Sequence, residues 1–285
     1  MKIGSLCTGY GGLDMAVEAF FNAEMVWCAE NDKYASKLIE QRFNKPNLGD
    51  IKQIDWANVE PIDILTAGYP CQPFSHAGQR KGTDDERHIW PHIIKAISIL
   101  RPKFIILENV RGHLSLGFKE VLGDLAENGY DAKWRIVRAS EVGAPHQRAR
   151  LFIIAYSTCK RCKNQLCAQK SGQFEQGIIT YSNIDACEKP RRTDREISTK
   201  DRGLQSRQNI GQARSEHRFS RSMERETIPN ALDQGKLNAK FVEYMMGLPV
   251  GWVTDLDLSR SQQLKMLGNG VVPQQAYYAL ELLHD

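Results

Sequence analysis

The chain has 285 residues, 41% of them hydrophobic and 25% charged, a soluble globular composition long enough to bury a core as one large domain plus a smaller one. No apolar run approaches the ~20 residues that span a bilayer, and Met1-Lys2-Ile3-Gly4 leads straight into a strand-like segment, so neither a membrane nor a secreted protein is expected. The net charge of +4 is unevenly placed: residues 157–236 hold 16 Lys/Arg against 10 Asp/Glu, leaving 22 against 24 for the rest, so a polyanion would be met in that one segment.

In chain order, Lys2–Cys7 reads as a strand and Gly12–Asn22 as a helix. Glu24–Ala29 is a second strand, followed by a helix from about Lys33 to Phe43. Ile62–Thr66 is a strand, and His88–Leu100 is a helix ending at Arg101-Pro102. Phe104–Leu107 is a short apolar strand, and Phe118–Asn128 a helix stopped by Gly129. Trp134–Arg138 and Leu151–Ala155 are further strands. Strands alternating with helices predict an α/β domain with a mostly parallel sheet. Residues 157–236 break the pattern, being rich in Arg, Gln and Ser without a clear period; the helical signal returns in Ala239–Met246 and Pro273–Leu283. The expected organisation is a domain over 1–156, a small insert over 157–236, and a segment 237–285 that packs back onto the first domain. The bland alternative for the insert is a solvated charged stretch.

The stretch CTGYGGLD, residues 7–14, links the first strand to the first helix. Gly9, Gly11 and Gly12 let backbone N–H groups approach a ligand at a helix N-terminus, although a tight turn alone accounts for such a pattern. Glu30 ends the second strand, where a carboxylate accepts hydrogen bonds from ribose hydroxyls, and Asp50 falls at the next position along the same edge, suited to an adenine amino group. Together they predict a nucleoside-bearing cofactor across the carboxyl ends of the strands. Seven cysteines, an odd number scattered along the chain, fit free thiols in a reducing compartment, and a cytoplasmic protein is expected.

One cysteine stands apart. Cys71, in AGYPCQPFSHAG, lies between Pro70 and Pro73 in a loop after an apolar strand, where the prolines deny regular structure on both sides of the sulfur. A proline-rich turn that happens to hold a cysteine is the equal alternative. Glu108 follows the strand Phe104–Leu107, at the edge that carries the Cys71 loop; any single such carboxylate also fits a plain surface position. Arg148 and Arg150 are two apart on a segment read as extended, so both would point to one face.

Taken in order, GYGG, AEND, GDI, PCQPFS, ENV, QRAR and GNGVVPQQA resemble the DNA (cytosine-5)-methyltransferase family over residues 1–156 and about 237–285, and the compact length resembles bacterial or phage members. The resemblance implies an S-adenosylmethionine-dependent, Rossmann-like sheet with helices on both faces and a small inserted target-recognition domain, acting as a monomer on double-stranded DNA. It implies that Cys71 attacks carbon-6 of a flipped-out cytosine, that Glu108 holds N3 and the exocyclic amine, and that Arg150 with Arg148 holds the O2 side. The cofactor, leaving as S-adenosylhomocysteine, would be held by Thr8, Gly9, Tyr10, Gly11, Gly12, Leu13, Glu30, Asn31, Asp50, Ile51, Pro70, Asn269 and Val271. DNA contacts are implied for Gln72, Ser75, Gln79 and Arg80. Three positions depart from the family pattern: Cys7-Thr8 replaces the frequent Phe-Ala, Gly270 replaces the commoner Ser, and His146-Gln147 shifts the usual Gln.

Cys159 and Cys162 have zinc-knuckle spacing, but Cys167 and Cys187 do not form a second close pair, so unliganded thiols are expected rather than a metal site. Arginines through 191–225 suit phosphates and guanines. Met245-Met246-Gly247-Leu248-Pro249 reads as helix packing followed by a turn that positions the insert, with Trp252 in the core. A transfer-RNA cytosine methyltransferase uses the same motif set; the long Arg/Gln/Ser-rich insert favours DNA. A non-catalytic DNA-binding relative would not need a thiol in that loop, and a nicotinamide oxidoreductase leaves PCQ and ENV without a role.

Overall fold

The computed structural model of the protein describes residues 1–70, 89–158 and 228–284. Its strands are β1 (Lys2–Leu6), β2 (Glu24–Ala29), β3 (Ile64–Gly68), β4 (Phe104–Val110), β5 (Tyr130–Val137), β6 (Arg150–Ser157) and the short β7 (Leu232–Asp233) and β8 (Lys236–Leu237). The α-helices are α1 (Gly12–Phe21), α2 (Lys33–Arg42), α3 (Trp90–Leu100), α4 (Phe118–Glu127), α5 (Ala239–Met245), α6 (Arg260–Asn269) and α7 (Pro273–His284).

Six strands form one sheet in the order β2-β1-β3-β4-β6-β5. Strands β1 to β4 pair in parallel, while β6 runs antiparallel to both its neighbours. The reversal follows from the connection: β5 reaches β6 through a short loop with a 3-10 turn at Ala139–Val142, not through a helical crossover. β1 is followed on one side by β2 and on the other by β3, so the strand order reverses at β1, and a crevice opens beyond the carboxyl ends of β1 and β3.

The strands are apolar on both faces because both are covered. On one face Leu6, Leu65, Ile105, Leu107 and Ile153 pack against α3 and α4. On the other, Ile3, Met25, Ile64, Ile106 and Ile154 meet α1 and α7. Helix α7 buries Ala276, Ala279, Leu280 and Leu283, so the C-terminal residues lie on the same sheet as the N-terminal ones. A third cluster joins Leu38 of α2 to Met246, Leu248, Val253 and Leu267 near the crevice. Glu243 organises this part: its buried carboxylate accepts bonds from the Gly251, Val253 and Thr254 amides and from the Thr254 hydroxyl.

Several elements differ from the sequence reading, β3 among them, which runs over Ile64–Gly68 in place of Ile62–Thr66. β4 extends to Val110, so Glu108 and Asn109 lie inside the strand and not past its end. β5 starts at Tyr130 because it is an edge strand, half-buried along most of its length, whose mixed residues mask the period. Helix α6 was not expected: its apolar stripe is weak, and it starts on a capping box in which Ser259 and Gln262 satisfy each other's amides. The β7–β8 hairpin, turning at Gln234 and Gly235, straddles the expected boundary between the insert and the returning segment, since Leu232 pairs with Leu237.

Candidate active site

The crevice is built first from the loop after β1. Its Gly9 amide donates to Glu30 Oε2 at 2.8 Å, and the Asp32 amide donates to Glu30 Oε1 at 2.9 Å. Asn47 fixes the Glu30 backbone on both sides, accepting from its N–H and donating to its C=O, each at 3.0 Å. Burial raises the Glu30 carboxyl above its ordinary pKa, against the pull of these amides. Glu30, Asn31, Gly49 and Asp50 line a cleft of about 750 Å³. Among the described residues no atom lies within 4 Å of a Cβ built at Gly9 or Gly49, so those residues leave the space over both turns open. Open backbone turns flanked by two carboxylates fit an adenosine moiety with its ribose hydroxyls at Glu30.

The remaining positions implied for the cofactor divide. Thr8 is buried, its Oγ1 hydrogen-bonded with Ser5 Oγ at 2.8 Å. Tyr10 is fully buried and its hydroxyl donates to the Val271 carbonyl at 2.7 Å. Gly11 caps α1, and at Gly12 a Cβ would overlap that same Val271 carbonyl. Leu13 and Ile51 sit in the two core clusters flanking the sheet. Pro70 and Asn269 are exposed, and Val271 is buried. Cys7 is half-buried in a left-handed turn, its thiol pushed up to about 12 by burial and by the nearby Glu30 and Asp50 carboxylates.

The second half of the crevice centres on Glu108, which is 7% exposed and pairs with Arg150 Nε through Oε1 at 3.0 Å. Burial drives its carboxyl to about 7, and the Arg150 and Arg148 charges hold it from rising further. β3 and β4 pair Gly68 with Glu108, and a Cβ at Gly68 would lie 3.6 Å from Glu108 Oε2 and 3.9 Å from Val271 Cγ2. The carboxylate therefore stands next to the segment that closes the cofactor side.

The two arginines do not share a partner. Arg148 has φ +29°, outside the extended region, so the alternation that would align it with Arg150 fails. Its Nη2 donates to the Gly268 carbonyl at 2.8 Å and the Gly270 carbonyl at 2.6 Å. Gln275 Nε2 on α7 donates to both the Arg148 and Val137 carbonyls at 2.8 Å. His146 reaches the Met245 carbonyl through Nε2 at 2.9 Å.

Several contributors had no separate signal in the sequence. Asn109, 2% exposed, donates from Nδ2 to the Tyr69 carbonyl at 3.1 Å and accepts the Val110 amide. The Tyr69 hydroxyl bonds His113 Nε2 at 2.9 Å, and its ring packs on Trp90, 5.6 Å between centroids. Trp252, expected in the core, is instead half-buried against it, edge-on to Phe43, and donates from Nε1 to the Tyr10 carbonyl. The ENV triplet drew attention for its carboxylate; the neighbouring Asn was the readable hint.

Cys71, Gln72, Ser75, Gln79 and Arg80 lie outside the described residues, as do Cys159, Cys162, Cys167 and Cys187. Among the described residues no group of three or more His, Cys, Asp or Glu is placed to hold a metal, and no helix is long and apolar enough to cross a membrane.

The model of the family described as C-5 cytosine-specific DNA methylase matches residues 1–226. The chain is 35% identical over 172 residues to the Type II methyltransferase M.Bsp6I of Bacillus sp. (strain RFL6), covering 58% of this chain and 55% of that protein. It is 34% identical over 161 residues to M.NgoBI of Neisseria gonorrhoeae, covering 55% and 50%. The match thus spans about half the length of these curated relatives. In fold it resembles the S. pombe Dnmt2 methyltransferase, with TM-score 0.63 at 16% identity over 99% of each chain. It also resembles the Entamoeba histolytica methyltransferase EhMeth, with TM-score 0.59 at 18% identity over 99% of this chain and 98% of that one.

Proposed function

This chain belongs to the C-5 cytosine-specific DNA methylase family, and from that premise we propose that it methylates carbon-5 of a flipped-out cytosine in double-stranded DNA, with S-adenosylmethionine as donor. The observation that carries the reading is the pairing of buried Glu108, in the C-terminal half of β4, with half-buried Arg150, beside the segment that leads to Cys71. Carbon-5 of cytosine is a weak nucleophile until a thiolate adds at carbon-6, and that addition needs charge to be taken up at N3 and O2.

In the proposed reaction the Cys71 sulfur bonds to carbon-6, and the ring's electron pair moves toward carbon-5 and N3. Glu108, with its carboxyl at about 7, holds a proton near neutrality and presents it to N3. Arg150 stays beside that carboxyl and faces the O2 side. After methyl transfer a base removes the carbon-5 proton, the carbon-5–carbon-6 double bond re-forms, the Cys71 thiolate leaves, and N3 returns its proton to Glu108. Asn109 holds the Tyr69 carbonyl, two residues before the nucleophile.

The cofactor, when bound, supplies an electrophilic methyl group. Glu30 accepts its ribose hydroxyls, Asp50 its adenine amino group, and the Gly9 turn, Asn269 and Val271 border the rest. Residues 157–236, with 16 Lys/Arg against 10 Asp/Glu, are proposed as the target-recognition part. A monomer acting in the cytoplasm is the working assembly, and the Type II relatives suggest a restriction–modification setting.

The test incubates the protein with S-adenosylmethionine and unmethylated DNA, then digests to nucleosides for mass spectrometry. 5-Methylcytosine that disappears with Cys71→Ala supports the reading. Signal on transfer RNA and none on DNA would move the substrate to RNA, and silence on both with DNA still bound would leave a binding protein.

A further inference from the structure

We infer that Arg148 and Tyr10 are positioning residues for the cofactor, acting through the turn Gly268–Val271, and that neither touches the cytosine. The inference rests on the proposed use of S-adenosylmethionine and reassigns both side chains: Arg148 from the substrate side, Tyr10 from direct cofactor contact.

The turn begins in the last two residues of α6, Gly268 and Asn269, where helix carbonyls have no partner within the helix. Arg148 Nη2 donates to the carbonyls of Gly268 and Gly270, and Tyr10 Oη donates to that of Val271. Three carbonyls around Asn269 are thereby held from below, while Asn269 itself is exposed. Both hydrogens of Nη2 are engaged, and a guanidinium at a helix C-terminus also opposes the helix dipole. The arrangement resists a swing toward the cytosine side. Arg148 sits at φ +29° with its carbonyl held by Gln275 from α7, and freeing the guanidinium means giving up both Nη2 bonds to the Gly268 and Gly270 carbonyls.

Tyr10 is held through its ring, its hydroxyl and its backbone. Its ring fills the space beside Gly270, its hydroxyl is at Val271, and its backbone carbonyl accepts from Trp252. With no exposed surface it cannot contact a ligand directly. Both residues reach the cofactor only by fixing where Asn269 and Val271 stand, and Val271 borders Gly68 opposite Glu108.

The test is calorimetric titration of S-adenosylhomocysteine into the full chain without DNA, so that binding is read apart from turnover. Tyr10→Phe, which keeps the ring and removes one hydrogen bond, is expected to raise Kd about 3- to 10-fold. Arg148→Met, which removes two charge-assisted bonds, is expected to raise it about 10- to 100-fold, with Arg148→Lys between. Arg150→Met serves as the contrast, losing methyl transfer while its Kd stays within about twofold of the parent. In turnover assays Arg148→Lys raises KM for S-adenosylmethionine and keeps most of kcat at saturation. Thermal melts report folding, and if Arg148→Met fails to fold, Tyr10→Phe and Arg148→Lys decide. Folded variants with unchanged Kd, or Arg148→Lys losing kcat at saturating cofactor as Arg150→Met does, overturn the inference. A parent protein that binds S-adenosylhomocysteine but methylates no nucleic acid would sink the proposed reaction alone. A parent that does not bind it would sink both.

Discussion

Tyr10 and Gly270 fit only as a pair: a Cβ on residue 270 would overlap the Tyr10 ring, whose hydroxyl donates to the adjoining Val271 carbonyl at 2.7 Å. The absence of a side chain at Gly270 is therefore explained by the bulk of the residue between Gly9 and Gly11. Gly270→Ser is expected to destabilise by about 1–3 kcal/mol through overpacking. Trimming the ring in Tyr10→Ala should absorb most of that cost in the double variant. Urea unfolding of the four proteins measures the coupling; strictly additive losses would refute the pairing.

Glu108 gives a stability signature in pH. Its carboxyl stands at about 7 in the folded protein against 4.5 ordinarily, so the folded chain keeps a proton that the unfolded chain releases. The stabilisation is full below about pH 4.5 and is lost as pH rises through about 7, a change of roughly 3 kcal/mol. Glu108→Gln carries no such proton. Denaturation midpoints between these pH values should fall more steeply for the parent than for Glu108→Gln; parallel curves would show that the carboxyl titrates normally. Comparing the two proteins cancels the slopes from Asp14 and Glu30, whose carboxyls burial also raises.

Asn109→Ala leaves the Tyr69 carbonyl without its side-chain donor. Stability should drop by about 1–3 kcal/mol, since Asn109 is buried and both its bonds are lost. The kinetic effect should fall on turnover, about 10- to 100-fold in kcat, because small displacements of a reacting group are costly. S-Adenosylhomocysteine affinity should hold. A variant whose kcat is intact would separate Asn109 from the positioning of residue 71.

Glu243→Ala removes the acceptor for four donors in residues 251–254. Leaving those groups unpaired should cost at least about 3 kcal/mol, with Glu243→Gln costing less because one oxygen remains. The Trp252 bond to the Tyr10 carbonyl lies in the same segment. Its indole fluorescence should therefore shift before global unfolding in Glu243→Ala; one coincident transition would argue that the segment is held by its apolar contacts alone.

Much of the catalytic-domain fold is readable along the chain because apolar alternation and helical spacing are local. Glu24–Ala29 was placed to the residue, and α1, α2 and α4 to within one at either end. Glu30, just past the end of β2, and Asp50, in the loop that follows α2, line one cleft, so the expectation of two carboxylates along the same edge is met although Asp50 ends no strand. The family motifs carried the reaction class, since PCQ, ENV and QRAR each pair a residue type with a particular chemistry.

Other features depend on groups far apart in sequence. Helix α6 has too weak an apolar stripe to announce itself, and β5 is an edge strand without clean alternation. Two residues apart on an extended chain share a face, which pairs Arg148 with Arg150 by sequence, but a positive φ at Arg148 separates their partners. No local pattern encodes that angle. The chain by itself determined the kinds of chemistry available and the order of strands and helices. Only the tertiary structure decided that Arg148 meets the Gly268 and Gly270 carbonyls and that Tyr10 meets Val271, because backbone carbonyls carry no residue signature and find their donors only when distant segments pack.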